Sequence, residues 1–365
     1  MSDINNKRKY KLMHNDTITF NGVRLYRIKA LRDFSDVKAG DVGGFIEKES
    51  NLSHEGDCWV YDDAMVYGDV RIIGNAKVRD NACIYGVVMI TDNVEIAGNA
   101  IVEGQCITMY DNVKVYDNAR ICGNVRLYGN ARVYGYAKIM NQAVIGGNAR
   151  VHDYASVWNY ARVYGNAEIY GNARIQECAE VCDNARVYGH AAIMGTARLH
   201  GNAEAYSTAV IRHGDLTKDI KDDIIQYIAC SLNIYPVGGK YILYKRVDKM
   251  ERTSDLDMEH LIRRIYQLDT PDEAYRSTTY TDGNLFYEPG RVTEAPRPNT
   301  CFHEGPDEFP EDGVEGIYCY MPFDENEIEG DALIAVEVDV KDILTCMKGR
   351  IRARRVRMIE EIKRR

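Results

Sequence analysis

The side chains best suited to chemistry in this 365-residue chain are a few cysteines and histidines that share a spacing. Cys182 and His200 stand eighteen positions apart. A thiol beside an imidazole is what nucleophilic catalysis needs, because the ring takes the proton and leaves the thiolate. His152 is a second candidate base. Each has a plainer reading. His152 falls in a line of tyrosines and serves as one more ring of that line, and neither a pocket nor a carboxylate that would orient His200 is evident. Metal chemistry has less support. Cys178 and Cys182 are four apart, but one belongs at a corner and the other on a face, while Cys301, His303 and Cys319 lack a fourth ligand. No metal site is expected.

A second kind of chemistry is recognition. Lys114, Arg132, Arg150, Glu168, Arg186 and Glu204 recur every eighteen residues. Two positions after each comes Tyr116, Tyr134, His152, Tyr170, Tyr188 or Tyr206. Neighbouring cationic and aromatic columns suit a small anionic or nucleotide-like ligand, or a protein partner. From Val113 to Gly214 there are eleven basic and seven acidic residues, in a chain whose net charge is -9. Glu168 and Glu204 interrupt the basic column, which argues against nucleic acid. The bland alternative is a solvated face on which tyrosines stack for stability and arginines cover them.

Such columns require an element that returns every eighteen residues, and the hexads supply it. Val113 to Gly214 reads as seventeen consecutive hexads; the first residue is Ala in fifteen and Val in two, and the third is Val, Ile or Leu in sixteen. In an extended chain, residues one and three point to one side and residues two and four to the other. A small residue beside a branched one fills a narrow interior. Gly-Asn at positions five and six tolerates the positive φ of a sharp corner. Three hexads close one triangular coil, so Asn130, Asn148, Asn166, Asn184 and Asn202 should form an amide ladder. Upstream the same frame starts at Cys58. Cys106 to Asn112 holds seven residues, which predicts one extra residue bulging at a corner near Met109.

The expected fold is therefore mainly β: a left-handed parallel β-helix of about nine coils over residues 58–214, with an N-terminal β cap and a C-terminal α+β domain. Residues 1–57 form the cap, and its Thr17 to Ala30 alternates as strands do. Residues 215–239 hold a capping helix and linker, on the helical spacing of Ile220, Ile224, Ile225 and Ile228. Residues 240–365 form the last domain, with a helix at Met258 to Leu268, a strand at Ala332 to Val340, and acidic, Pro- and Gly-rich loops over 282–330. Its densest basic cluster is Arg350, Arg352, Arg354, Arg355 and Arg357, either a charged face or a dock for an acidic segment. No apolar run is long enough for a membrane span, and no signal peptide or disulfide framework accompanies the ten cysteines. A cytoplasmic protein is the expectation.

Asp33 to Ala64, DFSDVKAGDVGGFIEKESNLSHEGDCWVYDDA, resembles the lead-in of the YdcK-like hexapeptide-repeat proteins, where D-V-K-A-G and G-G-[WF] precede L-S-x-x-G-D-C-W and the first coil. The resemblance runs to about residue 214. It implies a left-handed β-helix and an acyl- or acetyltransferase that would use acetyl-CoA. The Gly-Asn-Ala array is also similar to phage and prophage repeat proteins. The leading expectation is a non-enzymatic binding or scaffold protein, of phage or bacterial origin and with no cofactor, whose Arg/Tyr face meets a partner or anionic ligand. The alternatives are a CoA-dependent acyltransferase, with its site on the β-helix or between subunits of a homo-oligomer, and a phage protein that sequesters a host signalling nucleotide.

Overall fold

The computed structural model describes residues 8–207, 209–220, 223–251, 278–282, 285–295, 317–319, 332–347 and 350–362. It contains two compact units, Met1–Asp222 and Asp223–Arg365, each treated by itself below.

The first unit is a β-solenoid with three faces. Each face is a ladder of parallel strands in which a residue pairs with the one eighteen further on, as in Lys114↔Arg132, Arg120↔Lys138 and Arg126↔Val144. The face of Lys114 has nine strands. That of Arg120 has ten rungs, from Phe45 to Val210, because the lead-in strand Val42–Ile46 joins it in parallel. The solenoid thus gains one rung before Cys58. Inside, the prism is dry: Ala161, Val163, Ala167 and Ile169 are 0% exposed, and their counterparts along the coils are equally buried. Each fully buried Val or Ile contributes roughly 1.5–3 kcal/mol.

Position five of the hexad makes the corner. It has positive φ throughout Val113 to Ile211, whether it is Gly171 (φ 66), Asp153 (φ 56) or Asn159 (φ 60). Asp and Asn are the side chains that visit this region most readily, which accounts for their alternation with Gly.

The extra residue lies elsewhere than residue counting suggested. Strand Ile101–Met109 pairs Gly104 with Gly86 but Ile107 with Val88, so Gln105 and Cys106 together oppose Val87. Ile107 is 1% exposed and enters the prism, whereas Cys106 is exposed. The larger apolar side chain takes the inward position because the interior must be filled, and the slip is absorbed before it. A second irregularity closes the array. Arg198 pairs with Asp215, one residue short of the usual spacing, and Leu216 and Ile220 are both 0% exposed.

At the other end a hairpin of β1 (Tyr10–Phe20) and β2 (Val23–Ala30) pairs antiparallel with β3 (Val42–Ile46), which then joins the solenoid. Leu25 and Phe45 pack on Tyr67 and Cys83 of the first coils. The expected β cap is therefore built by continuing the sheet.

In the second unit, Leu285–Tyr287, Thr278–Asp282, Lys240–Glu251, Ala332–Asp339, Arg355–Glu361 and Val292–Glu294 form one sheet in that order. A three-stranded sheet joins Ile317–Cys319, Arg350–Ala353 and Ile343–Met347. The helix occupies Ile224–Leu232, only the latter part of the stretch with helical spacing, since Asp215–Leu216 is strand. Asp223 caps it by accepting a hydrogen bond from the Gln226 amide at 3.1 Å, and Asn233 ends it with φ 56. Within the segment expected to be loops, Leu285–Tyr287, Val292–Glu294 and Ile317–Cys319 are strands. The expected helix at Met258 to Leu268 lies outside the described residues.

Candidate functional site

The face built on the Lys114 ladder carries the two predicted columns. Tyr116 and Tyr134 stack at 4.9 Å between centroids, Tyr134 and His152 at 4.7 Å, and His152 and Tyr170 at 5.3 Å. Tyr170 and Tyr188 follow at 4.9 Å, and Tyr188 and Tyr206 at 5.3 Å. Each ring projects from the fourth position of a hexad, so the rung spacing of the ladder sets the stacking distance. The rings are half-buried. Burial raises the pKa of Tyr116, Tyr134, Tyr170 and Tyr188, so these four hydroxyls stay protonated at neutral pH.

The cations beside the rings fall into two sets. Arg186 lies between carboxylates, 3.9 Å from Glu168 and 3.6 Å from Glu204. Lys114, Arg132 and Arg150 instead occupy three consecutive rungs with no acid between them. Lys114 reaches Glu95 at 2.9 Å and Arg150 reaches Glu168 at 3.8 Å, each at the far side of the trio. Among the described residues Arg132 has no carboxylate within 4.0 Å. Like charges on adjacent rungs repel, and Arg132 is flanked by two of them.

His152 is enclosed within the column. Its Nδ1 is 3.1 Å from the Asp153 carboxylate; its Nε2 is buried, 3.6 Å from Glu168, and makes no hydrogen bond among the described residues. Rings cover both faces. Burial of Asp153 is outweighed by hydrogen bonds from His152 and the Gly171 amide, which lower its pKa. A base must aim a nitrogen at its substrate, and here the edges meet protein carboxylates.

Cys182 and His200 belong to adjacent rungs, since Val181 and Leu199 pair. Among the described residues no hydrogen bond joins them. Cys182 is 0% exposed, with its Sγ 3.8 Å from the Arg198 guanidinium and 3.9 Å from Glu180. Arg198 Nε reaches Glu180 at 3.0 Å, and the Tyr164 hydroxyl donates to the same carboxylate. His200 has carboxylates on both sides, Asp183 at 3.9 Å and Asp215 at 3.7 Å. Both carboxylates are beyond hydrogen-bond distance of the ring, and the thiol is sealed beneath its neighbours. Cys178 is exposed while Cys182 is buried. Cys301 and His303 lie outside the described residues.

The basic stretch of the second unit does not form one face. Arg352 is 1% exposed, Arg355 binds Asp342 at 2.9 and 3.2 Å, and Arg354 and Arg357 are exposed. They are divided between two strands, Arg350–Ala353 and Arg355–Glu361, with a bend at Arg354.

Two arrangements at the corners went unrecognised. The asparagine ladder extends beyond its predicted members, from Asn75 through Asn93 and Asn112 to Asn130, with each side-chain amide donating to the next at 3.0 to 3.1 Å. A corner Asp accepts the amide N–H of the glycine one coil later, as Asp117 does from Gly135 at 3.1 Å and Asp183 from Gly201 at 3.0 Å. Asp followed by Gly eighteen residues on would have been the signal.

No helix among the described residues is long and apolar enough to cross a membrane. No protein-family profile matches the chain. Over 62 residues it is 42% identical to the uncharacterized acetyltransferase YdcK of Escherichia coli (strain K12), a match that covers 15% of this chain. The chain spans only 19% of that relative's length. A short match of this kind together with a β-solenoid fits a hexapeptide-repeat protein.

Proposed function

We propose that this is a non-enzymatic binding or scaffold protein whose Lys114 face presents cations and stacked rings to an anionic ligand or to an acidic segment of a protein partner. The observation that supports this best is Arg132, which has no carboxylate within 4.0 Å among the described residues, flanked by Lys114 and Arg150 and beside Tyr116, Tyr134 and His152, with Tyr170 next in the column. An anion over Arg132 would relieve repulsion that the fold leaves in place, and guanidinium groups bind carboxylate or phosphate with paired hydrogen bonds. Arg186 and Tyr188 would extend the same surface, with less positive potential because of Glu168 and Glu204. The rigid ladder holds these groups in position before binding, so little entropy is lost.

Titration calorimetry with pyrophosphate and with a hexaglutamate peptide tests this. The wild-type protein should bind at least one of them, and substitution of Arg132, Arg150 and Tyr170 by Ala together should weaken that binding by more than about tenfold. Undiminished binding by the triple variant removes this face as the site.

A second reading is a CoA-dependent acyl- or acetyltransferase, with a site on the solenoid or between copies in a homo-oligomer. It is supported by the short match to a protein named an acetyltransferase. Acetyl-CoA at millimolar concentration should then raise the melting temperature of the full chain. No shift, with no acetyl transfer to amine or hydroxyl acceptors, counts against it.

A further inference from the structure

A trench of about 620 Å³ runs along the corner that follows the second face, the one built on the Arg120 ladder. Its floor is backbone at Gly86, Gly104 and Gly123, and beyond them the corner side chains of Asn141 and Asn159, the first donating to the second at 2.9 Å. At Gly86 and Gly104 a Cβ would collide with the carbonyl oxygen of the glycine one coil later, so these corners carry no side chain. One wall holds Tyr85, Glu103 and Cys122; the other holds Gln105, Asn124, Gln142 and Tyr160. From Tyr85 to Tyr160 the trench crosses five coils, about 20 Å along the axis.

The lining chemistry is selective. It includes no lysine or arginine. Its single carboxylate, Glu103, is already matched by Arg120 at 2.9 Å and by the Tyr85 hydroxyl. The trench therefore offers little to an anion or a cation. The side-chain amides of Gln105, Asn124 and Gln142 make no hydrogen bonds among the described residues, and each presents donors and an acceptor side by side. An apolar ligand would strand them, at a cost. A ligand rich in hydroxyls, which both donate and accept, would satisfy them. Tyr160 is 57% exposed, and its ring is a flat apolar platform at one end of the row.

We propose that this trench binds a neutral, linear oligosaccharide laid along the solenoid axis, with the amides on its hydroxyls and Tyr160 against a sugar face. The site is separate from the cationic face and does not depend on it.

Saturation-transfer NMR on the full chain, with maltotriose, cellotriose and chitotriose at millimolar concentration and trigalacturonate as the charged comparator, tests the proposal. At least one neutral trimer should receive saturation. The Tyr160→Ala, Gln142→Ala double variant alters only exposed corner side chains, and should melt like the wild type while binding that trimer about tenfold more weakly. Three outcomes overturn the proposal: no transfer to any neutral trimer, tighter binding of trigalacturonate than of every neutral trimer, or unchanged binding by the folded double variant.

Discussion

The coils before Val113 and those after it share one interior but differ in how they are held. The amide ladder runs through both, but after Val113 each coil repeats its predecessor, with Ala and Val or Ile inside and a continuous column of stacked rings on one face. Before it the contacts are singular. Lys9 is 0% exposed, and its ammonium donates to the Cys58 carbonyl at 2.7 Å, the Gly56 carbonyl at 3.3 Å and the Cys58 sulfur at 3.3 Å. Asp36 accepts from Tyr61 at 2.7 Å and Lys77 at 2.9 Å, and Arg79 lies 3.9 Å over the Tyr61 ring. Strands Met65–Ile72, Cys83–Ile90 and Ile101–Met109 run straight through a corner that later coils break into short strands. Repetition spreads stability evenly along a solenoid, whereas its first rung has no preceding neighbour and must be fastened by individual residues.

The sharpest way to test that contrast is to place the same substitution in both halves. At Gly104 an added Cβ meets the Gly123 carbonyl and the Ile107 side chain, and backbone cannot move aside. Gly104→Ala should cost about 3 kcal/mol or more in chemical denaturation. Gly171→Ala, whose nearest contacts are 3.0 to 3.5 Å away and whose φ is 66, should cost only about 1–2 kcal/mol for the left-handed backbone. Equal losses would mean that the Gly123 carbonyl over Gly104 yields to a Cβ.

Next in size is Lys9→Ala, which leaves two carbonyls without their donor and a cavity under the cap. A loss of about 2–3 kcal/mol is expected, read as faster hydrogen exchange over Tyr10–Phe20 with no change beyond Val113. Uniformly faster exchange along the whole solenoid would show that Lys9 is no local fastening.

The smallest effect is electrostatic. The Lys77 ammonium hydrogen bond, with the Tyr61 hydroxyl, holds the Asp36 carboxyl far below the usual carboxylate range. A depressed carboxylate stabilises the fold above its unfolded pKa, about 3.9, and that contribution is lost as pH falls below this toward the lower folded value. Because Asp36 is 47% exposed, solvent screening limits the effect to about 1 kcal/mol or less. Asp36→Asn should therefore lower stability slightly at pH 7 and flatten its decline in acid. An unaltered acid limb would contradict the assignment.

The columns were legible in the sequence where arithmetic was enough. The eighteen-residue period placed Asn130, Asn148, Asn166, Asn184 and Asn202 on one corner and Tyr116 to Tyr206 on one face, because a ladder converts sequence distance directly into stacking. It also made Cys182 and His200 neighbours by register, yet it could not show that the thiol would be covered by Arg198 and Tyr164. Burial depends on side-chain torsions and lateral neighbours, about which the period is silent.

What the sequence determined alone was the repeat: which residues face inward, which turn the corner, and which columns line each face. Those follow from local backbone geometry and the need to fill a narrow prism. Only the tertiary structure decided where the register slips, because Ile107 and Cys106 compete for one interior position and packing chooses between them. It also decided which cation of the column is left without an acid. That depends on how far side chains lean between rungs, and Arg132 has only Lys114 and Arg150 beside it.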